Sequence, residues 1–275
     1  MEIWHAILLG IVEGVTEFLP ISSTGHLTIV EKLLGLAIDD PAVTGFTAVI
    51  QVGAIAASII YFWRDIVRMG KAWFRGLFSL SLRHEPDYRL GWYVIAGSIP
   101  VGVIGFLGKG VIKGSLRNLW VVAGALLLWS GVMFFAERVA KQSRSEKQLK
   151  LSDTVVIGLA QCLALIPGVS RSGATISTGL LRDIDRVTAT RLSFFLAIPA
   201  LTAAGLYELK DALSESIGVV PLVVGTLVSF VVAYISIAWL LKFVAHHKLD
   251  AFAWYRIGLS ALLILALAKG WISAT

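Results

Sequence analysis

The chain has 275 residues, 57% of them hydrophobic and only 15% charged, with a mean hydropathy of +0.81. A soluble domain carries about 25% charged residues, so this composition sets the chain against a soluble enzyme and for a membrane protein. The formal net charge of +6 does not point to nucleic acid, because the basic residues fall in short links between apolar runs, where they meet lipid headgroups.

Along the chain, segment 3–30 comes first. About a dozen residues of apolar helical pattern carry Glu13 and Glu17, then break at Pro20-Ile21-Ser22-Ser23-Thr24-Gly25-His26 before a short apolar return. No leader peptide is expected, because the two glutamates interrupt the apolar stretch and no small-residue cleavage pattern follows. The uncharged runs 41–63, 90–108, 118–136 and 216–241 supply four spans, with boundaries near 43–63, 90–108, 118–137 and 217–241. At 1.5 Å per residue, about 20 residues cross a hydrocarbon layer of roughly 30 Å.

A charged link, 137–153, precedes a second interrupted segment, 154–181, broken at Pro167-Gly168-Val169-Ser170-Arg171-Ser172-Gly173-Ala174-Thr175. Spans at about 190–208 and 251–270 complete the set, the former expected to end at Arg191 and Glu208. Arg256 in the last span either snorkels or faces a polar interior. Broken backbone at membrane depth must be buried in protein or line a polar cavity, so the two interrupted segments read as re-entrant hairpins, with kinked spans as the alternative.

The breaks resemble each other. Leu19-Pro20 followed by Ser23-Thr24-Gly25 parallels Ile166-Pro167 followed by Ser170-Arg171-Ser172-Gly173. Arg89-Leu90 with Ile99-Pro100 parallels Arg191-Leu192 with Ile198-Pro199. The expected fold is therefore an all-α integral membrane protein with six transmembrane helices and two re-entrant hairpins. Its halves, about 1–140 and 150–275, form an inverted-topology repeat, because three spans per half turn the second half over. One side receives the links 64–89, 137–153, 182–191 and 242–250 with their Lys and Arg. The other receives only Lys32, Lys109, Lys113, Arg117, Lys210 and Lys269, so the positive-inside rule puts the first side in the cytoplasm and both chain ends outside.

Chemistry concentrates at the breaks. Glu13 and Glu17 stand one helical turn apart, on one face, where a shared proton, an arginine or a divalent cation would relieve their repulsion. A helix beginning near Ser23 offers free N–H groups to an anion, and Ser23 with His26 is the minimum set for an activated nucleophile. The plainer reading is that Ser23 or Thr24 caps the helix and a backbone carbonyl satisfies His26. Arg171, flanked by Ser170 and Ser172 with Thr175 one turn on, binds phosphate oxygens or neutralises Glu13 or Glu17. The single Cys162 excludes an internal disulfide and a cysteine metal cluster.

At residues 13–26, EGVTEFLPISSTGH, and 167–175, PGVSRSGAT, the chain closely resembles the BacA-type undecaprenyl-diphosphatase family, linked to bacitracin resistance. The resemblance runs nearly full length. It implies removal of the terminal phosphate of undecaprenyl diphosphate, in the bacterial cytoplasmic membrane, at a site opening to the outer face, with a divalent metal, Mg2+ or Ca2+. Catalytic roles fall on Glu17, Ser23, His26 and Arg171. Phosphate binding falls on Ser22, Thr24, Gly25, Ser170, Arg171, Ser172 and Thr175, and metal binding on Glu13 and Glu17. Gln161 is expected near the cleft. Ser23, His26 and metal-activated water all remain open as nucleophile, and monomer or homodimer is equally compatible with the Gly- and Ala-rich spans. The rival class is a transporter or flippase for the lipid phosphate, since inverted repeats with broken helices also build transporters.

Overall fold

A computed structural model of the chain describes residues 1–38, 40–108, 110, 116, 118–212 and 218–274, with backbone alone over 206–212. Lys109, Lys113, Arg117 and the side chains of Glu208 and Lys210 lie outside the described residues. The helices are α1 Ile3–Thr16, α2 Ser23–Leu33, α3 Pro41–Tyr61, α4 Trp63–Phe78, α5 Pro86–Leu107 and α6 Leu119–Val139. They continue with α7 Leu151–Leu163, α8 Arg171–Leu181, α9 Arg186–Ala212, α10 Val219–His246 and α11 Asp250–Ala268.

Six of these, α3, α5, α6, α9, α10 and α11, are long and apolar enough to cross a membrane. Their starts follow local chemistry. Asp40 accepts a hydrogen bond from the Ala42 N–H at 2.8 Å with Pro41 at the first helical position, and Asn118 does the same for Trp120 at 2.8 Å. Large apolar side chains such as Leu128, Ile235 and Leu262 are exposed along the spans, an arrangement stable only against lipid. By contrast α1 and α7 have 14 and 13 residues, too short to cross. Each runs into a turn and is followed by the 11-residue α2 or α8.

Two expectations need correction. Residues 64–89 are not a plain link: Trp63–Phe78 form a helix whose charged residues Arg64, Arg68, Lys71 and Arg75 recur at helical spacing. Arg191 does not end its span either, because α9 begins at Arg186. The charge is accommodated inside the helix by Asp65 at 3.0 Å and Glu146 at 3.5 Å.

Packing places α1 against α10, α7 against α5, α9 and α10 against α3, and α11 against α6. Small residues allow the closest approaches. A Cβ built at Gly158 of α7 would stand 2.1 Å from the Gly97 carbonyl oxygen of α5, and one at Gly10 of α1 would stand 2.6 Å from Gly225 O of α10. Around Phe18, in the first turn, Phe194 packs edge-on at 5.3 Å and itself touches Phe62 at 5.6 Å.

The basic links meet one another. Asp153 is held by Arg144 and by Arg182 at 2.9 Å, and Glu137 pairs with Arg186 at 2.8 Å while accepting the Leu249 N–H at 2.9 Å. Arg68 reaches Asp65 and Asp87, both at 3.1 Å. The four links thus touch one another in three separate clusters, with Arg191 joining Asp65 to Glu146 in the third.

Candidate active site

Each interrupted segment turns the same way. Ser22 and Ser170 precede α2 and α8 with φ of 78° and 76°, in the left-handed region that costs a β-carbon-bearing residue steric strain. The return is what each hydroxyl caps: Ser22 Oγ accepts the Gly25 N–H at 3.3 Å, and Ser170 Oγ accepts that of Gly173 at 3.1 Å. The caps are therefore Ser22 and Ser170, not Ser23 or Thr24, which leaves the Ser23 hydroxyl free for other work.

The two turns also hold each other. Ser22 Oγ accepts the Gly168 N–H at 3.2 Å, and Ser172 Oγ donates to Leu19 O at 2.9 Å. Between them runs the guanidinium of Arg256 from α11, fully buried. It donates to Pro20 O at 3.3 Å in one turn and to Gly168 O at 2.9 Å in the other. It also donates to Ser130 Oγ at 3.3 Å and to Leu126 O at 3.4 Å in α6. Arg256 faces the interior, so the snorkelling alternative falls. Its acceptors there are neutral oxygens.

Glu17 is the meeting point of the chemistry. Ser23 Oγ donates to its Oε2 at 2.6 Å, Gln51 Nε2 stands 3.5 Å from the same oxygen, and Arg171 Nη2 lies 3.4 Å from Oε1. Arg171 is fixed further by Ser193 O at 3.1 Å and by the Phe18 ring, 5.8 Å below its guanidinium carbon. Thr175 bonds the Ser193 hydroxyl at 2.7 Å, bracing the segment that holds Arg171. The first-hairpin serine and the second-hairpin arginine thus engage opposite oxygens of one carboxylate.

His26 is placed differently from the serine–histidine arrangement considered above. Its Nδ1 lies 2.7 Å from Ser22 O, so this nitrogen carries the hydrogen, and its Nε2 lies 2.8 Å from the Tyr255 hydroxyl. The Tyr255 ring stacks on it at 5.6 Å. With both ring nitrogens engaged, the carboxylate touching Ser23 is the group in position to take its proton. Glu13, one turn before Glu17, is buried, and neither of its oxygens has a hydrogen-bond partner among the described residues.

These groups form the head of a cavity of about 420 Å³. Glu17, Ser23, Thr24, Gln51, Gln161 and Arg171 line its polar end, with Ser22 and Ser170 at the seam. Val101, Phe106, Leu165, Ala200, Leu201 and Ala204 line the rest. Glu13, Gly25, His26, Ser172 and Thr175 do not contribute to the lining. Such a shape suits a molecule with a small anionic head and a long apolar body.

Sequence reasoning did not single out Gln51, Ser193 or Tyr255. Gln51 had a signal, being a lone amide within an uncharged span. Ser193 and Tyr255 had none, since their partners lie 18 and 229 positions away in the chain.

A family model described as Bacitracin resistance protein BacA matches residues 6–262. The chain is 58% identical over 270 residues to the Undecaprenyl-diphosphatase of Acidothermus cellulolyticus, covering 98% of each. It is 58% identical over 271 residues to Undecaprenyl-diphosphatase 1 of Streptomyces coelicolor, again with 98% of each covered. To the Undecaprenyl-diphosphatase of Mycobacterium ulcerans it is 48% identical over 280 residues, covering 100% of each.

Proposed function

The chain belongs to the bacitracin resistance protein BacA family, and from that premise we propose that it hydrolyses undecaprenyl diphosphate to undecaprenyl phosphate and inorganic phosphate. The observation that carries the chemistry is the sharing of Glu17 by Ser23 and Arg171 at the head of a cavity with otherwise apolar walls. The lipid chain stays against α5 and α9, since each CH2 moved out of an apolar environment costs about 0.8 kcal/mol. The diphosphate enters the polar end, where Arg171 offsets its charge.

In this reading Ser23 Oγ attacks the terminal phosphorus as Glu17 takes its proton. The anhydride P–O bond breaks and undecaprenyl phosphate departs with the electron pair. Water then cleaves the phosphoserine, releasing inorganic phosphate. His26 keeps the Ser22 carbonyl and the Tyr255 hydroxyl in place and so fixes the loop that presents Ser23.

A divalent ion, Mg2+ or Ca2+, fits the carboxylate pair. Glu13 and Glu17 lie one helical turn apart, and such ions take oxygen ligands, Mg2+ commonly from one or two carboxylates with phosphate and water supplying the rest. Glu13 and Glu17 would hold the ion, which when bound offsets charge on the diphosphate.

Two finer features of the architecture belong to the same proposal. The interrupted segments are re-entrant and the halves are inverted repeats. Supporting this, both returns start from a positive-φ serine cap, and contacts exchange between halves, with α1 on α10 answered by α7 on α5. The cavity opens to the outer face. In favour of that, its apolar wall uses the ends of α5 and α9 remote from the basic links.

The test is phosphate release from a prenyl diphosphate by purified protein in detergent, where no sealed compartment exists. Wild type is expected to turn over and Arg171→Ala to lose most of its rate. A fully active Arg171→Ala, or no release by wild type, overturns the reading. Transport of the lipid phosphate without hydrolysis would give the second result.

A further inference from the structure

Gln161 of α7 is 1% exposed and lines the cavity, yet neither its Oε1 nor its Nε2 has a hydrogen-bond partner among the described residues. A buried amide left unpaired is destabilising, and a leucine of similar bulk would fill the place without that penalty. The other amide at the polar end, Gln51, is by contrast engaged with Glu17. An unpaired donor and acceptor in the wall of a ligand cavity wait for a ligand.

Position narrows what the ligand atom is. The spacing that carries Ser22 onto Ser170 and Gly25 onto Gly173 carries Glu13 onto Gln161, so the second hairpin has a neutral amide where the first has a carboxylate. An amide can approach a phosphate that a carboxylate would repel, and it donates two N–H groups. Four residues on, in the turn that follows α7, Leu165 belongs to the apolar wall. Gln161 therefore stands where the cavity changes from polar to apolar. The transferred phosphoryl group is met by Ser23 and Arg171, which leaves the phosphate attached to the lipid for this boundary.

We propose that Gln161 is a substrate-binding residue whose Nε2 donates a hydrogen bond to a non-bridging oxygen of the lipid-bearing phosphate. It thus reads the phosphate that remains on the carrier, not the one that leaves. This rests on the phosphatase reading above and adds a specificity determinant to it.

The experiment compares wild type, Gln161→Leu and Gln161→Glu in detergent, measuring phosphate release from a prenyl diphosphate together with inhibition by prenyl monophosphate and by inorganic phosphate. For Gln161→Leu, KM for the diphosphate and Ki for prenyl monophosphate should each rise roughly tenfold, the loss of one hydrogen bond to a charged group, with kcat little changed. Inorganic phosphate, which lacks the lipid ester, should inhibit both proteins equally. Gln161→Glu should weaken prenyl monophosphate further through like-charge repulsion. The ligand-free Tm of Gln161→Leu should equal or exceed that of wild type, because an unpaired polar group has gone.

A Ki for prenyl monophosphate within about twofold of wild type in both variants overturns the proposal, that being well short of a charged hydrogen bond. So does an equal loss of inorganic-phosphate inhibition, and so does a lowered Tm in Gln161→Leu, which would mark a structural role. If wild type itself releases no phosphate, the phosphatase reading fails and takes this inference with it. An active wild type with unchanged variants removes this inference alone.

Discussion

Ser23 and His26 are three positions apart in the sequence, and the backbone separates their work. Ser22 turns through a positive φ, which sends the His26 ring back onto the Ser22 carbonyl and lets Ser23 reach Glu17 at 2.6 Å. Ser23→Ala should therefore abolish nearly all turnover at saturating substrate. Glu17→Gln should lower kcat on the order of 10² to 10⁴-fold, the usual range for loss of a general base. His26→Ala should fall less, roughly tenfold, if its part is to hold the loop. Quenched-flow trapping with labelled substrate checks the assignment: label on Ser23 supports it, and label on His26 sinks it. Arg256 makes a second case. Its donors tie both turns through neutral oxygens, so Arg256→Lys, with fewer donors and no fork, should not restore what Arg256→Met loses in rate and Tm. Retention of wild-type rate by Arg256→Met would show that the turns keep register without it. The polar residues stood out in the sequence because hydrocarbon tolerates so few of them. Which hydroxyl caps and which is free depended on one dihedral angle, and no residue pattern announced that angle.

At the scale of elements, the two interruptions were readable because proline followed by Ser and Gly disfavours an uninterrupted helix. Helix α4 was overlooked because its many charges make it look like a loop. Its Arg64, Arg68, Lys71 and Arg75 nevertheless repeat with helical period, so amphipathicity was present in a segment with no long apolar run. How a hairpin is held was not readable, since it depends on glycine contacts across helices. Gly158→Leu would force α7 away from Gly97 and should cost about 1 to 3 kcal/mol, a drop of several degrees in Tm by scanning fluorimetry. An unchanged Tm would show that the seam can yield. The base of the same hairpin is ionic. Burial pushes the Asp153 carboxyl up, but the hydrogen bonds from Arg144, the Lys150 N–H and Arg182 outweigh this and hold it below its ordinary value. A carboxyl depressed by folding stabilises fully above its unfolded pKa and loses that contribution as pH falls through the folded one. Thermal stability should therefore decline as pH drops below the ordinary carboxylate range, and Asp153→Asn should flatten that part of the profile. An equally steep profile in Asp153→Asn would move the effect to another carboxyl.

For the whole molecule, two features of different origin bear on the proposed orientation. The basic residues concentrate in four links of the sequence, and those links touch through separate ion pairs at Asp65 and Glu146, at Glu137 and at Asp153. The cavity wall uses Phe106 and Ala204, close to the opposite ends of α5 and α9. In the proposed orientation the site would reach diphosphate lipid from the side away from the basic face. The native Cys162 sits partly buried in α7, so Cys162→Ser gives a background for single new cysteines. Glu2→Cys and Lys269→Cys should react in intact cells with a thiol reagent that cannot cross the membrane. Arg75→Cys and Lys147→Cys should react only after the cells are opened. Six crossings and two hairpins that return to their own side require both ends to behave alike. If Glu2→Cys and Lys269→Cys fall on different sides, one interrupted segment is a crossing and the inverted repeat is wrong. If Arg75→Cys reacts from outside while both ends are protected, the repeat survives but the cavity faces the cytoplasm. The phosphate would then be released inside the cell, and the charge rule, not the hairpin geometry, would be the premise that failed.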